Sequence, residues 1–495
     1  MELYSAKAGS EIKSNKTFGS FKLEFEILQN EETEAVFSIG DGLMISLSNS
    51  SASKMPELGS VKTSAGAWNK VAQDVCKHTG LWQKIELLYK ASDGKMPAVL
   101  EKVKINGVLQ VQNFVSQNRN EKPNQIGFTL NKGVLALRNV KYAFLGNAKP
   151  ISISNLSYVL QETEGWDHTF EVKKTPPIHG ISDELSFRIP NDYKEFILTY
   201  SGNMKVDKDG LYAFTLDYQG VSDLQIDGKK VAGSNEFTYR IPETQLIDLK
   251  EGMHTFEYKY QRIWWPPGFG IFISGSNFGA YALHSSNNLS VPKVVGGIYE
   301  NMDGNRTRVI RSFMNYKGVK RTSVMTVGTP EKRHYSIDLN DGSMLYAWKG
   351  DFADVTEMWH ERGEPQLIEA LGQIISMSGK PNFFQNEKDV TVFKEYFLDT
   401  KGIPTYLHAL NGQKVSRKLE PLKNGFEITL STENKDIKYL LAEDQNIEKL
   451  SESLFRTSDY YIQLSHPSSA KISIKNGLMQ LSGSASAIES YTLIW

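Results

Sequence analysis

Cysteine is nearly absent: Cys76 stands alone in 495 residues. That excludes an intrachain disulfide and any Cys/His zinc pattern. Apolar runs are short, and none reaches the ~18 residues that a membrane helix needs. Neither sign of charge dominates. The chain has 56 Lys and Arg against 57 Asp and Glu, for a net charge of -1. Nucleic acid and anionic membrane surfaces are therefore not expected as bulk partners. No metal or other cofactor is expected, and nothing in the pattern sets an oligomeric state. Residues 1–16 lack an apolar centre and are not a signal peptide. They read as a mature start after a removed signal, giving the expectation of a secreted or periplasmic protein; a cytoplasmic start is the alternative. Long helical periods are also scarce. Only Ile368–Ile375 and Ile447–Phe455 have helical spacing.

What is abundant is alternation. The length suggests about three domains, and the text divides at Pro150 and again near residue 291. The expectation is an all-β chain of three consecutive β-sandwich or jelly-roll domains, over residues 1–147, 148–290 and 291–495. In the first, Phe21–Ile27, Lys84–Tyr89, Val99–Val103 and Val134–Phe144 read as strands, with Asn106-Gly107 and Asn131-Lys132-Gly133 at turns. In the second, Gly210–Leu216 and Phe256–Tyr260 alternate, and Gly220 marks a turn. In the third, strands are expected over Val390–Leu398, Pro404–His408, Gly425–Leu430, Lys438–Ala442, Tyr460–Leu464 and Ser490–Trp495.

Three resemblances sharpen this pattern. The series Gly19–Phe25, Gly80–Glu86, Ile105–Val108, Ile126–Phe128 and Leu137–Val140 resembles the 3-keto-disaccharide hydrolase domain. The resemblance implies a concanavalin-like sandwich. Where that family carries Asp-His-Gly before its last strand, this chain has Asn131-Lys132-Gly133, so the fold carries over more readily than the hydrolysis. The series Gly210–Leu216, Asp223–Gly228, Leu249–His254 and Phe256–Tyr260 looks like the protective-antigen-type module. Calcium-dependent members of that family carry two acids after the first of these strands. Only Asp217 stands here, too few for a cation that takes ~6 oxygen ligands. The third region resembles a domain attached to large bacterial dehydrogenase-like and sugar-processing secreted proteins. Its later half, with Phe393–Phe397 and Pro404–Leu407, is similar to galactose-mutarotase-like sandwiches.

The densest chemical text is Ser343–Glu364. Trp348 and Trp359 flank Asp351, Asp354, Glu357, His360, Glu361, Arg362 and Glu364. Rings stack on the apolar faces of a sugar, and carboxylates with an imidazole serve general acid–base chemistry. The candidate catalytic residues are Asp354, Glu357, His360 and Glu361. The candidate substrate contacts are Trp348, Trp359, Arg362 and Arg311. Trp264 and Trp265, adjacent before Pro266-Pro267, cannot both point inward on a regular strand and join that group. A bland reading stands beside this one: Trp348 sits in an ordinary strand, and Trp359 plugs a core. Three functions remain open, of which a sugar isomerase or epimerase on the last domain rests on the mutarotase likeness alone. Another is a bacterial glycoside hydrolase acting on (3-keto-)glycosides by general acid–base catalysis. The alternative is a non-catalytic carbohydrate-binding or adhesin-like accessory protein.

Overall fold

The structure, a computed structural model, describes all residues except 1–2, 6–9, 40–41, 50–55, 64–65, 72, 74, 93–94, 117–124, 147, 165–170, 236–237, 240–241, 264–266, 276–277, 290–295, 303, 361–365, 387 and 467–469. The chain is all-β. The described helices are two single turns, Thr356–Trp359 and Ala485–Ile488.

Packing divides the chain into two units. One holds Met1–Phe18, Lys22–Tyr142 and Val295–Trp495; the other holds Gly19–Phe21 and Ala143–Val294. In the first unit, the N-terminal strands form a six-stranded and a five-stranded sheet. Phe25 of the first sheet meets Phe128 of the second edge to face, with ring centres 5.3 Å apart, and Phe37 closes the cluster. The strand Phe21–Gln29 buries every second residue, as its alternation demands. Asn106 and Gly107 both have left-handed backbones (φ 50° and 85°), as a two-residue hairpin turn requires.

The later strands of this unit form a five-stranded and an eight-stranded sheet, with smaller sheets beside them. One core runs through them. Tyr335 of the five-stranded sheet meets Phe426 of the eight-stranded sheet at 5.2 Å, and Phe426 stacks on Trp495. Arg417 is buried in that core without a carboxylate. Its guanidinium donates to Asn382 Oδ1 (2.7 Å), Tyr439 Oη (2.8 Å) and Gly342 O (2.7 Å). The two stretches with helical spacing are not helices. Ile368–Ile375 overlaps the short strands Glu369–Ala370 and Gln373–Ser376, and the second stretch overlaps Glu448–Lys449 and Leu454–Arg456. Segments this short carry too weak a local preference to resist pairing with neighbouring strands.

The early and late parts of the unit are joined by specific contacts. Lys77 Nζ pairs with Asp459 Oδ1 at 2.5 Å. Tyr461 Oη donates to Thr79 O (3.0 Å). Gly80 has φ +82°, and a Cβ there would lie 2.4 Å from the Tyr461 hydroxyl. The buried ammonium of Lys349 donates to the carbonyl of Cys76.

The second unit is an eleven-stranded sheet built around one long strand, Gly210–Ile226. Gly220 is not a turn, as its sequence context had suggested. It lies inside that strand, and the strand changes partners around it. Residues 210–216 pair with 243–249, whereas 221–226 pair with 256–261. Gly220 adopts φ +121°, and a Cβ would fall 2.1 Å from Gln261 O. Only glycine fits, because both the backbone angle and the neighbouring carbonyl exclude a side chain. Gly220→Ala should therefore destabilise this unit by about 2 kcal/mol or more. Chemical denaturation of the variant checks this; an unchanged midpoint would refute it.

Candidate functional site

The densest stretch folds as a strand, a short corner and one helical turn. The strand Met344–Lys349 pairs on both sides, with Arg333–Asp338 and with Gln373–Ser376, and all of it but Tyr346 is buried. Trp348 is fully buried, which corrects its expected place on a ligand-facing wall. Its indole N–H donates to Phe352 O (2.8 Å), its ring stacks nearly parallel to Phe352, and His334 packs against both rings. A tryptophan in the middle of a sheet removes more apolar surface from water than any other side chain here, and its one polar atom is satisfied.

His334 is held neutral by its partners. Thr329 N donates to Nδ1 (3.2 Å), so Nε2–H donates to Gly350 O (3.0 Å). Burial pushes its pKa down to about 4. His408 is also buried, on Leu339 O, and its pKa too falls to about 4, chiefly through burial.

The expected acids already have work. Asp354, half-buried, accepts the Thr356 N–H at 2.8 Å and so closes the start of the helix Thr356–Trp359. Glu357 accepts the Leu367 N–H at 3.1 Å. Asp351 is exposed, 3.8 Å from Lys332. His360 ends the helical turn, its N–H on Thr356 O, and is exposed. Trp359 is 51% exposed. Glu361, Arg362 and Glu364 lie outside the described residues, as do Trp264 and Trp265.

Of the remaining candidates, Arg311 and the helix Thr356–Trp359 are brought together. Arg311 lies on the strand Arg308–Tyr316, the edge of the five-stranded sheet. There a bulge sets Thr322 and Ser323 of the next strand opposite the single residue Phe313. Phe313 also bridges to Leu367, and its carbonyl accepts the Ile368 N–H (2.9 Å). Bulges re-aim side chains at sheet edges. Here the result is a cavity of about 310 Å³ lined by Arg311, Ser312, Phe313, Thr322, Met358 and Gln366. Gln366 is left-handed (φ 51°). The Arg311 guanidinium is exposed and engages no other described residue. Lys320 Nζ lies 4.6 Å over the Phe313 ring. Arg311 is thus the charged group of the pocket lining, Phe313 and Met358 form an aromatic and a thioether wall, and the pocket adjoins the helix that carries Trp359.

Sequence reasoning reached Arg311 but not Phe313, Thr322, Gln366 or Glu369. Phe313 and Thr322 depend on a bulge, which leaves no mark in local composition. Glu369 faces Asp354 across paired strands. Burial raises its pKa above the ordinary range, and the carboxylates of Glu357 and Asp354 raise it further. Among the described residues, no three His, Cys, Asp or Glu side chains converge as metal ligands.

The first sandwich shows how Asn131-Lys132-Gly133 is used. Asn131 is the extra residue of a bulge, Lys132 Nζ lies 3.6 Å from Glu32, and Gly133 takes φ +78° to turn the chain. On the same sandwich, Arg138 lies 3.9 Å over the Trp82 ring and donates to Glu26 Oε2 (2.6 Å).

These features define a class only: a multi-sheet, all-β protein with an edge pocket. No known protein family matches the chain, and no curated protein matches it. Solved structures overlap part of it, these two among them. One is an anti-sigma factor domain-containing protein, 11% identical, covering 57% of this chain and 83% of its own, with a TM-score of 0.23. The other, of the same description and from Clostridium clariflavum, is 12% identical and covers 56% and 83%, also with a TM-score of 0.23.

Two pH-dependent outcomes follow. His334 and His408 stay neutral in the fold, whereas an unfolded histidine protonates near 6.5. Their contribution to stability is therefore complete above pH ~6.5 and falls away as the pH drops toward 4. Melting temperature measured across that window should fall, and less steeply in a His408→Gln variant. Glu369 has the opposite sign. Its raised pKa means that the folded state holds the proton more tightly, so ionisation opposes folding above that pKa. Glu369→Gln should raise the melting temperature at pH 7 and leave it unchanged near pH 4.

Proposed function

We propose that the chain is a non-catalytic carbohydrate-binding protein of accessory or adhesin-like kind, secreted or periplasmic. Its ligand is a hydroxyl-rich glycan bearing a carboxylate or another acid group. The observation that carries this reading is a contrast within one site. Asp354 and Glu357, the acids best placed for general acid–base work, each accept a backbone N–H. Arg311 engages no other described residue and borders an open pocket. A guanidinium presents paired donors that match a carboxylate, and Phe313 and Met358 offer the apolar faces on which a sugar ring rests. The resemblance of residues 1–147 to the 3-keto-disaccharide hydrolase domain supports the carbohydrate class. The use of Asn131-Lys132-Gly133 as a bulge and turn supports binding without hydrolysis.

One observation favours the hydrolytic reading, a glycoside hydrolase acting on (3-keto-)glycosides. Glu369, with its pKa raised by burial and by the neighbouring carboxylates of Glu357 and Asp354, has the character of a general acid. Calorimetric titration with uronic-acid and neutral oligosaccharides, with chromatography of the same mixtures, separates the two readings. We expect acidic glycans to bind without turnover and Arg311→Ala to weaken binding by roughly tenfold or more. Release of products, lost in Glu369→Gln, would replace this reading with the hydrolytic one. Binding indifferent to Arg311 would remove the pocket from it.

A further inference from the structure

The eight-stranded sheet begins at an open edge. Its first strand, Thr391–Leu398, pairs on one side only, with Pro404–Leu410. Val392, Tyr396, Phe397 and Leu398 are all exposed, and so is Val390 just before them. An edge with this much apolar surface is a template for another strand. Lysines and bulges commonly blunt such edges, and this one has both. Lys394 is the extra residue between the Phe393–His408 and Glu395–Leu407 pairs.

The bulge does something further here. It shifts the alternation of faces by one residue halfway along the strand. Thr391 and Phe393 lie opposite Leu410 and His408, while Tyr396 and Leu398 lie opposite Tyr406 and Pro404. Leu410 and Tyr406 belong to the core and Phe393 packs against it, so this face looks inward. Val392, Glu395 and Phe397 therefore share the outer face, with Lys394 beside Glu395. Now let the strand run antiparallel to itself about a two-fold axis between Lys394 and Glu395. Lys394 meets Glu395 of the partner subunit, and Glu395 meets the partner's Lys394. Phe393 faces the partner's Tyr396, Val392 faces the partner's Phe397, and Thr391 faces the partner's Leu398. Every pair falls on one face, which an unbulged strand could not achieve at this register. Opposite charges and apolar residues are matched at each step.

We propose that the edge strand Thr391–Leu398 pairs antiparallel with the same strand of a second copy, joining two eight-stranded sheets into one across a two-fold axis. The contact is isologous, so it closes at two copies. Its register is set by the Lys394–Glu395 pair, which occurs twice. The bulge and Lys394 then reject foreign strands, whose charges and parity do not match, while admitting the strand's own image.

Sedimentation equilibrium of the full chain over a range of concentrations tests this, with far-UV circular dichroism and melting as controls for folding. The wild type should be a reversible dimer. Glu395→Lys places lysine against lysine at both central positions and should weaken dimerisation roughly tenfold or more. The double variant Lys394→Glu/Glu395→Lys restores opposite charges and should restore the dimer. A wild-type chain that stays monomeric at the highest concentration would overturn the proposal. So would a dimer indifferent to Glu395→Lys, or one that the double variant fails to recover.

Discussion

A buried ammonium governs the architecture of the first unit. Lys349 is almost wholly enclosed, and its amino group donates to the carbonyl of Cys76, more than 270 positions earlier in the chain. A charge taken out of water is tolerated only when its hydrogen bonds are made. Burial of the end of the Met344–Lys349 strand is therefore tied to a carbonyl from the early part of the chain. The Tyr461–Thr79 bond and the Gly80 approach lie on the same seam. Trp348, one residue before the ammonium, fills the core on the other face of the strand. A stretch that reads as reactive in one dimension is thus, over its first half, a structural joint.

The same logic sorts the polar groups of the second half. A one-turn helix leaves its first N–H groups without partners in the helix. Asp354 serves one of them, and Glu357 reaches forward to Leu367. Carboxylates committed in this way have less freedom to move protons. Among the described residues Arg311 has no such duty, and the bulge opposite Phe313 opens space beside it.

Bulges recur at points where the structure departs from its simplest pattern. Asn131 interrupts the pairing of Ile126–Lys132 with Glu34–Ile39, Thr322 and Ser323 open the pocket, and Lys394 resets the faces of an edge strand. Gly220 plays a related part, letting one strand serve two sets of partners. Each is a local violation that a neighbouring strand makes stable.

The sequence by itself determined that the chain is all-β, because period-two alternation fixes which face of each strand is apolar. It determined most strand positions, from Phe21 to Ile494, and the Asn106-Gly107 turn, whose residues tolerate left-handed backbones. It drew attention to Arg311 and to the segment holding Asp354 and Glu357. Tertiary structure alone decided what those residues do. Alternation marks one side of a strand as apolar without saying whether that side meets a core or a ligand, and so Trp348 could be read either way. Hydrogen-bond partners such as Leu367 for Glu357 and Cys76 for Lys349 lie on other segments, and bulges arise from a mismatch between two strands. These are properties of pairs of segments, and pairs exist only once the chain has folded.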